Sequence, residues 1–264
     1  MLQWSANINV MIKAVRLAGR SLARDFGEIE NLQASQKNIG RFVHRSRKRA
    51  FEILVEDLTQ SRVNYGMCDA SHHYQEGEDP TRYWMVNELV GEKNFASAVP
   101  FWGVVIGLEH KKKVVASVIY SPILDDLFLA EKGKGAWLND HRIRVRSQIK
   151  KAHLDLNCDY FASFAAYPQW LRKMAHISPY ADRIISLGSS ALGMAYVASG
   201  RGDGYFLCGG NQTGFEVGAH LLSEAGGTVG SYLDGGGLIH IASGFDNNAN
   251  LLRIINQDNQ DSDE

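Results

Sequence analysis

The chain has 264 residues, a formal net charge of −1 and an apolar share of 45%, so it suits one large domain or two closely packed halves. Balanced charge argues against a protein that holds nucleic acid by bulk electrostatics alone. No stretch approaches the ~20 consecutive apolar residues of a membrane helix, and the opening residues lack the basic-then-apolar design of a secretory leader, so a cytoplasmic protein without membrane contact is expected.

The first predicted element is an amphipathic helix from about Ala6 to Phe26, because Ile8, Met11, Val15, Ala18 and Leu22 recur on one face. A second helix is predicted over about Arg41 to Gln60, with Val43, Ala50, Ile53, Leu54 and Leu58 inward. Its first turns carry Arg41, His44, Arg45, Arg47, Lys48 and Arg49. Positive charge at that end opposes the helix macrodipole, which fits either a solvated basic face or a nearby anion. From Arg82 the pattern becomes strand-like: Tyr83 to Val86, Phe101 to Leu108, Val114 to Tyr120, Leu127 to Ala130, Ala136 to Leu138 and Ile143 to Val145. Polar connections at Glu109–Lys113 and Glu131–Gly135 read as hairpins, so an antiparallel sheet follows.

Beyond residue 150, strand-like and helix-like pieces alternate through Ala225, as in an α/β half. A last helix is expected over Asp246 to Ile255. The division is therefore residues 1–150 as helices plus antiparallel sheet, 151–256 as the α/β half, and 257–264 as a disordered acidic tail. Cys68 with His72 and His73 makes a weak metal motif, lacking a fourth ligand. The three scattered cysteines suit no disulfide framework. Trp84, Trp102, Trp137 and Trp170 sit among apolar neighbours and are expected in the core or an interface.

Several segments carry a family resemblance. Phe101–Glu109, Ala130–Asn139 and Arg142–Val145 match in order and spacing the central sheet of inositol monophosphatases. Gly188–Leu192, Ala195–Ala198, Gly200–Gly204 and Glu224–Gly227 resemble that family's second half, and Ala18-Gly19-Arg20 its opening helix. The pattern is closest to the bacterial extragenic-suppressor type and spans roughly residues 8 to 256. It implies an α/β layered sandwich, the sugar-phosphatase fold, and a homodimer. The chemistry it implies is hydrolysis of a phosphate monoester by Mg²⁺ ions, which carboxylates hold and which activate a water.

Under that resemblance, the family's Asp-Pro-Ile/Leu-Asp-Gly-Thr motif falls on Asn87-Glu88-Leu89-Val90-Gly91-Glu92, with Gly91, Asn94 and Phe95 setting the register. Asn87 and Val90 replace metal-binding aspartates, and Glu92 replaces the water-positioning threonine. Only the backbone oxygen of Leu89 keeps its role. The upstream Glu-Glu pair falls on Ala70-Ser71, although a one-residue slip would bring in Asp69. An acid on the second helix becomes Arg47. The Trp-Asp pair falls on Thr213-Gly214, and the substrate-side glutamate near Leu207. Glu216, two residues beyond Gly214, points to a different side of its helix.

The expectation drawn from these positions is a vestigial site at Ala70, Ser71, Asn87, Leu89, Val90, Glu92, Thr213 and Gly214, with no catalytic residues, no metal and no cofactor. Arg47 and Lys93 become candidate anion-binding groups. The primary functional reading is a non-catalytic regulatory or binding homologue that accepts a small anionic ligand. By resemblance its partner is RNA polymerase or an RNA-related regulator. The alternative is an inositol or sugar phosphatase with residual activity, its metal site rebuilt from Asp69, Glu76, Glu88, Glu92 or Glu216.

Overall fold

A computed structural model describes residues 4–29, 36–146, 154–160, 167–209, 212–234, 237–244, 248–249 and 251–253. The expected acidic tail lies outside these residues, as do parts of the last predicted helix.

Helix α1 (Ala6–Gly27) begins where the Ser5 hydroxyl accepts the Ile8 amide, relieving one unpaired donor of the first turn. Helix α2 (Gln36–Ser61) starts five residues before the position its apolar pattern suggests. Polar Gln36, Lys37 and Asn38, with Gly40 leaving only Ile39 apolar, hide that start from a periodicity argument. The first sheet contains β1 (Tyr65–Cys68), β2 (Tyr74–Gln75), β3 (Asp79–Val90), β4 (Gly103–His110), β5 (Lys113–Ser121), β6 (Asp126–Glu131), β7 (Gly135–Leu138) and β8 (His141–Ile143), in the order β2-β1-β3-β4-β5-β6-β7-β8. It is antiparallel except at β1–β3, which pair parallel. Strand β3 is far longer than its apolar run, because Asn87 and Glu88 are buried within it.

The alternation along these strands builds two faces. Trp84, Val86, Val104, Ile106 and Val118 turn toward α1 and α2. Met85, Val105, Ile119 and Phe128 turn the other way, toward α5 (Ser190–Ala198) and α6 (Gln212–Glu224). A sheet buried on both faces needs apolar residues at successive positions, which is why these strands read as continuous runs.

The second sheet has β9 (Leu154–Tyr160), β10 (Ala181–Ile185), β11 (Gly204–Cys208), β12 (Gly227–Asp234) and β13 (Gly237–Gly244), in the order β10-β9-β11-β13-β12. Tyr205, Leu207 and Ala242 pack against α5 and α6, while Phe206, Cys208, Ile239 and Ile241 face Trp170 and Ile177 of α4 (Tyr167–Ile177) and Leu251. The layers therefore run helix, sheet, helix, sheet, helix. Trp84 and Trp102 are fully buried, and Trp137 stacks edge-on with Trp4 at 6.0 Å. No helix among the described residues is long and apolar enough to cross a membrane.

Candidate functional site

Strand β3 ends in an irregularity. Its pairing with β4 shifts between Asn87 and Val90, and the chain then turns into the short helix α3 (Glu92–Ala96) through Gly91 at φ 79°. A Cβ at Gly91 would lie 2.8 Å from the Phe101 carbonyl oxygen, so both the left-handed backbone and the close approach call for glycine. Such bulges re-aim side chains at the rim of a sheet. Here the result is a cleft of about 680 Å³ between the two sheets. Asn87, Leu89, Val90 and Glu92 line one wall. Asp159, Ser186, Gly188, Ser189 and Ser190 line the other.

Arg47, from α2, closes the first wall. Its Nε donates to Glu88 Oε1 at 2.8 Å, and a terminal nitrogen donates to Glu92 Oε2 at 2.8 Å. Glu88 is buried, its side chain 8% exposed. Half-burial works against the charge of Arg47, but the two carboxylates outweigh it and push the guanidinium above its ordinary value. Lys93 stands exposed at the rim of the cleft.

The second wall is saturated. Asp159 is 1% exposed and accepts from the Ser186 hydroxyl at 2.6 Å, the Gly188 amide at 2.8 Å and the Tyr205 hydroxyl at 2.9 Å. Burial, followed by the neighbouring carboxylate, holds the Tyr205 phenol well above its usual value, so it stays a donor. Asn94 ties the walls together, donating to Phe101 O at 2.7 Å and Leu187 O at 2.8 Å.

Ala70 lines the main cleft, and Ser71 an adjoining depression that also holds His44, Arg47 and Asp69. Asp69 accepts the amides of Ser71 at 2.8 Å and His73 at 3.0 Å. Burial opposes its charge, yet these donors leave the carboxyl below its ordinary range. Thr213 is fully buried and donates to the Asp69 carbonyl at 2.8 Å, so its hydroxyl braces the loop at the N-terminus of α6. Gly214 follows it on the same helix. Glu216 faces away from the cleft and meets His72, Oε2 to Nε2, at 3.1 Å. Glu76 is exposed on the far side of β2. Leu207 is buried in β11. Sequence reasoning missed Asp159 and Ser186, which no motif marks; the helix-start pattern Gly188-Ser189-Ser190 was the one available signal, and Ser189 does cap α5.

Five layers with a polar cleft between their sheets define an α/β sandwich protein with room for a small polar ligand. The chain belongs to the inositol monophosphatase family: residues 4–261 match it. It is 39% identical to an inositol-1-monophosphatase of Mesorhizobium japonicum, over 88% of this chain and 87% of that one. It is 30% identical to a Nus factor SuhB of Pasteurella multocida, over 90% of this chain and 88% of that one. The crystal structure of extragenic suppressor protein suhB from Bartonella henselae superposes with a TM-score of 0.83 at 32% identity, covering 96% of this chain and 100% of that one.

These relatives correct one expectation. A chain this similar to a protein named inositol-1-monophosphatase, in a family whose chemistry the resemblance ties to Mg²⁺, cannot be assigned a cofactor-free function from substituted positions. The acids named for a rebuilt site deserve more weight than the replaced aspartates allowed: Glu92 lines the cleft, and Glu88 and Asp69 line the adjoining depression. The donor set itself is a poor fit to a metal cluster. Among the described residues no three His, Cys, Asp or Glu are gathered to hold an ion, and Arg47 already occupies Glu88 and Glu92. Relatives and donor set thus point in different directions.

Proposed function

We propose that the protein binds a phosphate monoester, an inositol phosphate or another sugar phosphate, in this cleft and hydrolyses it more slowly than a member with the full set of aspartates. Family membership and the relatives named inositol-1-monophosphatase support the substrate class. The observation that carries the reading is the cleft's first wall, where exposed Lys93 offers positive charge to a phosphate and Arg47 becomes available when it exchanges a carboxylate for that phosphate. Glu92 lines the cleft and Glu88 the depression beside it, but their engagement by Arg47 limits what they hold or activate. Charge stabilisation is usually the largest catalytic contribution, so a cleft with displaced carboxylates is expected to be slow. Phosphate release from inositol 1-phosphate, measured with Mg²⁺ and with chelator, tests this. Turnover at the rate of a full-site relative would refute the slow site. No stabilisation of the fold by inositol phosphates would refute the ligand class.

A second reading is favoured by the same ion pairs. Arg47 with Glu88 and Glu92 is internally neutralised, as suits a homologue that regulates by binding and assembles as a cytoplasmic homodimer. A relative named Nus factor SuhB supports a partner linked to RNA polymerase. Co-purification with RNA polymerase in the absence of any phosphate release would favour it over the first.

A further inference from the structure

Behind the cleft, on the other side of loop 69–73, lies a second cavity of about 440 Å³. Its most unusual member is Glu109, at the end of β4. The side chain is 7% exposed. Oε2 accepts the Tyr74 hydroxyl at 2.9 Å, while Oε1 is fully buried and has no hydrogen-bond partner. A buried carboxylate oxygen left in that state is costly and calls for a cation. Burial and the hydrogen bond to Glu109 raise the Tyr74 phenol far above its usual value, so it remains the donor and cannot serve Oε1 as well.

The cation nearest to hand comes from the chain itself. Lys112 Nζ sits 4.1 Å from the centroid of the Tyr74 ring and 3.7 Å from Glu109 Oε1. An ammonium over an aromatic face beside a carboxylate is the arrangement by which proteins recognise organic cations. The 3.7 Å separation is too long for a hydrogen bond, and the Lys112 side chain is 73% exposed. The β4–β5 turn that delivers it places both Lys111 and Lys112 in the left-handed region, at φ 51° and 62°. Two-residue turns of this kind favour Asn-Gly, so two lysines there carry a conformational cost, borne in a turn whose Lys111 amide donates to Thr81 O and whose Lys112 lies over Tyr74 and Tyr83. The remaining space is floored by Val114, Phe215 and Ala219 and edged by Glu216. It exceeds what one ammonium head needs, and the carboxylate at its edge, Glu216, already meets His72 at 3.1 Å.

We propose that this cavity is a site for a primary alkylammonium, which enters against Glu109 and the Tyr74 ring when the tethered Lys112 swings out. The ligand class is a short amine or diamine, as a free molecule or as a lysine side chain of a polypeptide. The proposal does not depend on what the main cleft binds.

Calorimetric titration of the full chain at low salt with 1,4-diaminobutane, and separately with a blocked Gly-Lys-Gly peptide, tests it. Removing the tethered competitor in Lys112→Ala should tighten binding about tenfold or more, since an intramolecular group competes at a high effective concentration. Glu109→Gln in that background should abolish the saturable heat, and Tyr74→Leu should weaken it severalfold. Binding of the diamine but not the peptide assigns the site to free amines, and the reverse assigns it to protein lysines. Should Glu109→Gln not fold, Tyr74→Leu decides alone. Failure of Lys112→Ala to bind either probe, or equal binding after loss of both Glu109 and Tyr74 chemistry, overturns the proposal.

Discussion

The two walls of the cleft differ in how their charges are satisfied. On the α5 side, Asp159 is interior and receives three donors from two segments, Ser186 and Gly188 on one and Tyr205 on the other. On the α3 side, Glu88 and Glu92 depend on one long, half-buried arginine reaching across from α2. The first arrangement is a closed network, in which both carboxylate oxygens are committed to holding the chain in shape. The second can open, because a guanidinium on a flexible stem can exchange one carboxylate for a phosphate at modest cost. Ligand-responsive chemistry is therefore expected on the α3 wall, and structural dependence on the α5 wall.

The sharpest way to break this comparison is Asp159→Ala. It strands a buried hydroxyl of Tyr205 and leaves Ser186 and Gly188 without their acceptor, for a loss of about 3 kcal/mol or more in urea unfolding. A loss under ~1 kcal/mol would mean the α5 wall is no more rigid than its counterpart.

Acid probes the helical layer behind both walls. His220 of α6 is largely enclosed and packs against Ser117, Nδ1 to hydroxyl at 2.7 Å. Burial, only partly countered by Glu224, lowers its pKa to about 4. The unfolded chain binds this proton near pH 6.5 and the folded chain only near 4, so stability falls as pH drops through that window. The loss is on the order of 3 kcal/mol by pH 4. In His220→Gln, that part of the pH dependence should vanish from the denaturation curves.

Asn94→Ala removes both bonds that hold the walls together and should cost about 2 kcal/mol. Because the bonds reach Phe101, next to the first sheet, and Leu187, next to the second, unfolding followed by a separate probe in each sheet should lose its coincidence. Arg47→Gln should cost only about 1–2 kcal/mol, since the arginine is partly solvated while Glu88 loses its partner. The same variant should show a larger rise in Tm on adding Mg²⁺ than the parent, because two carboxylates are freed. An identical Mg²⁺ response in both proteins would mean that Arg47 does not compete for those acids. Gly91→Ala forces a left-handed alanine whose Cβ would lie 2.8 Å from the Phe101 backbone oxygen and should cost about 2 kcal/mol or more.

Much of the scaffold was legible in the chain. The face of α1 declared itself through Ile8, Met11, Val15, Ala18 and Leu22, all fully buried. The hairpins at Glu109–Lys113 and Glu131–Gly135 lie where polar breaks interrupt apolar runs. The parallel pairing of β1 with β3 was not legible, because Tyr65–Cys68 is too short to show a period. Nor was the full length of β3, whose buried Asn87 and Glu88 look like a loop when only apolar residues are counted.

The sequence by itself determined the order of elements, since periodicity and turn residues are local properties carried by neighbours a few positions apart, and its motif segments carried the resemblance to the family. It also determined which side chains stand at the motif positions. Only the tertiary structure decided what those side chains do: that Arg47 meets Glu88 across 41 positions, that Thr213 braces the Asp69 loop across 144, and that Asp159 is sealed while Glu92 is open. Pairing of charges depends on distances of a few ångströms and on the water excluded around them, and neither is written in the spacing of residues along a chain.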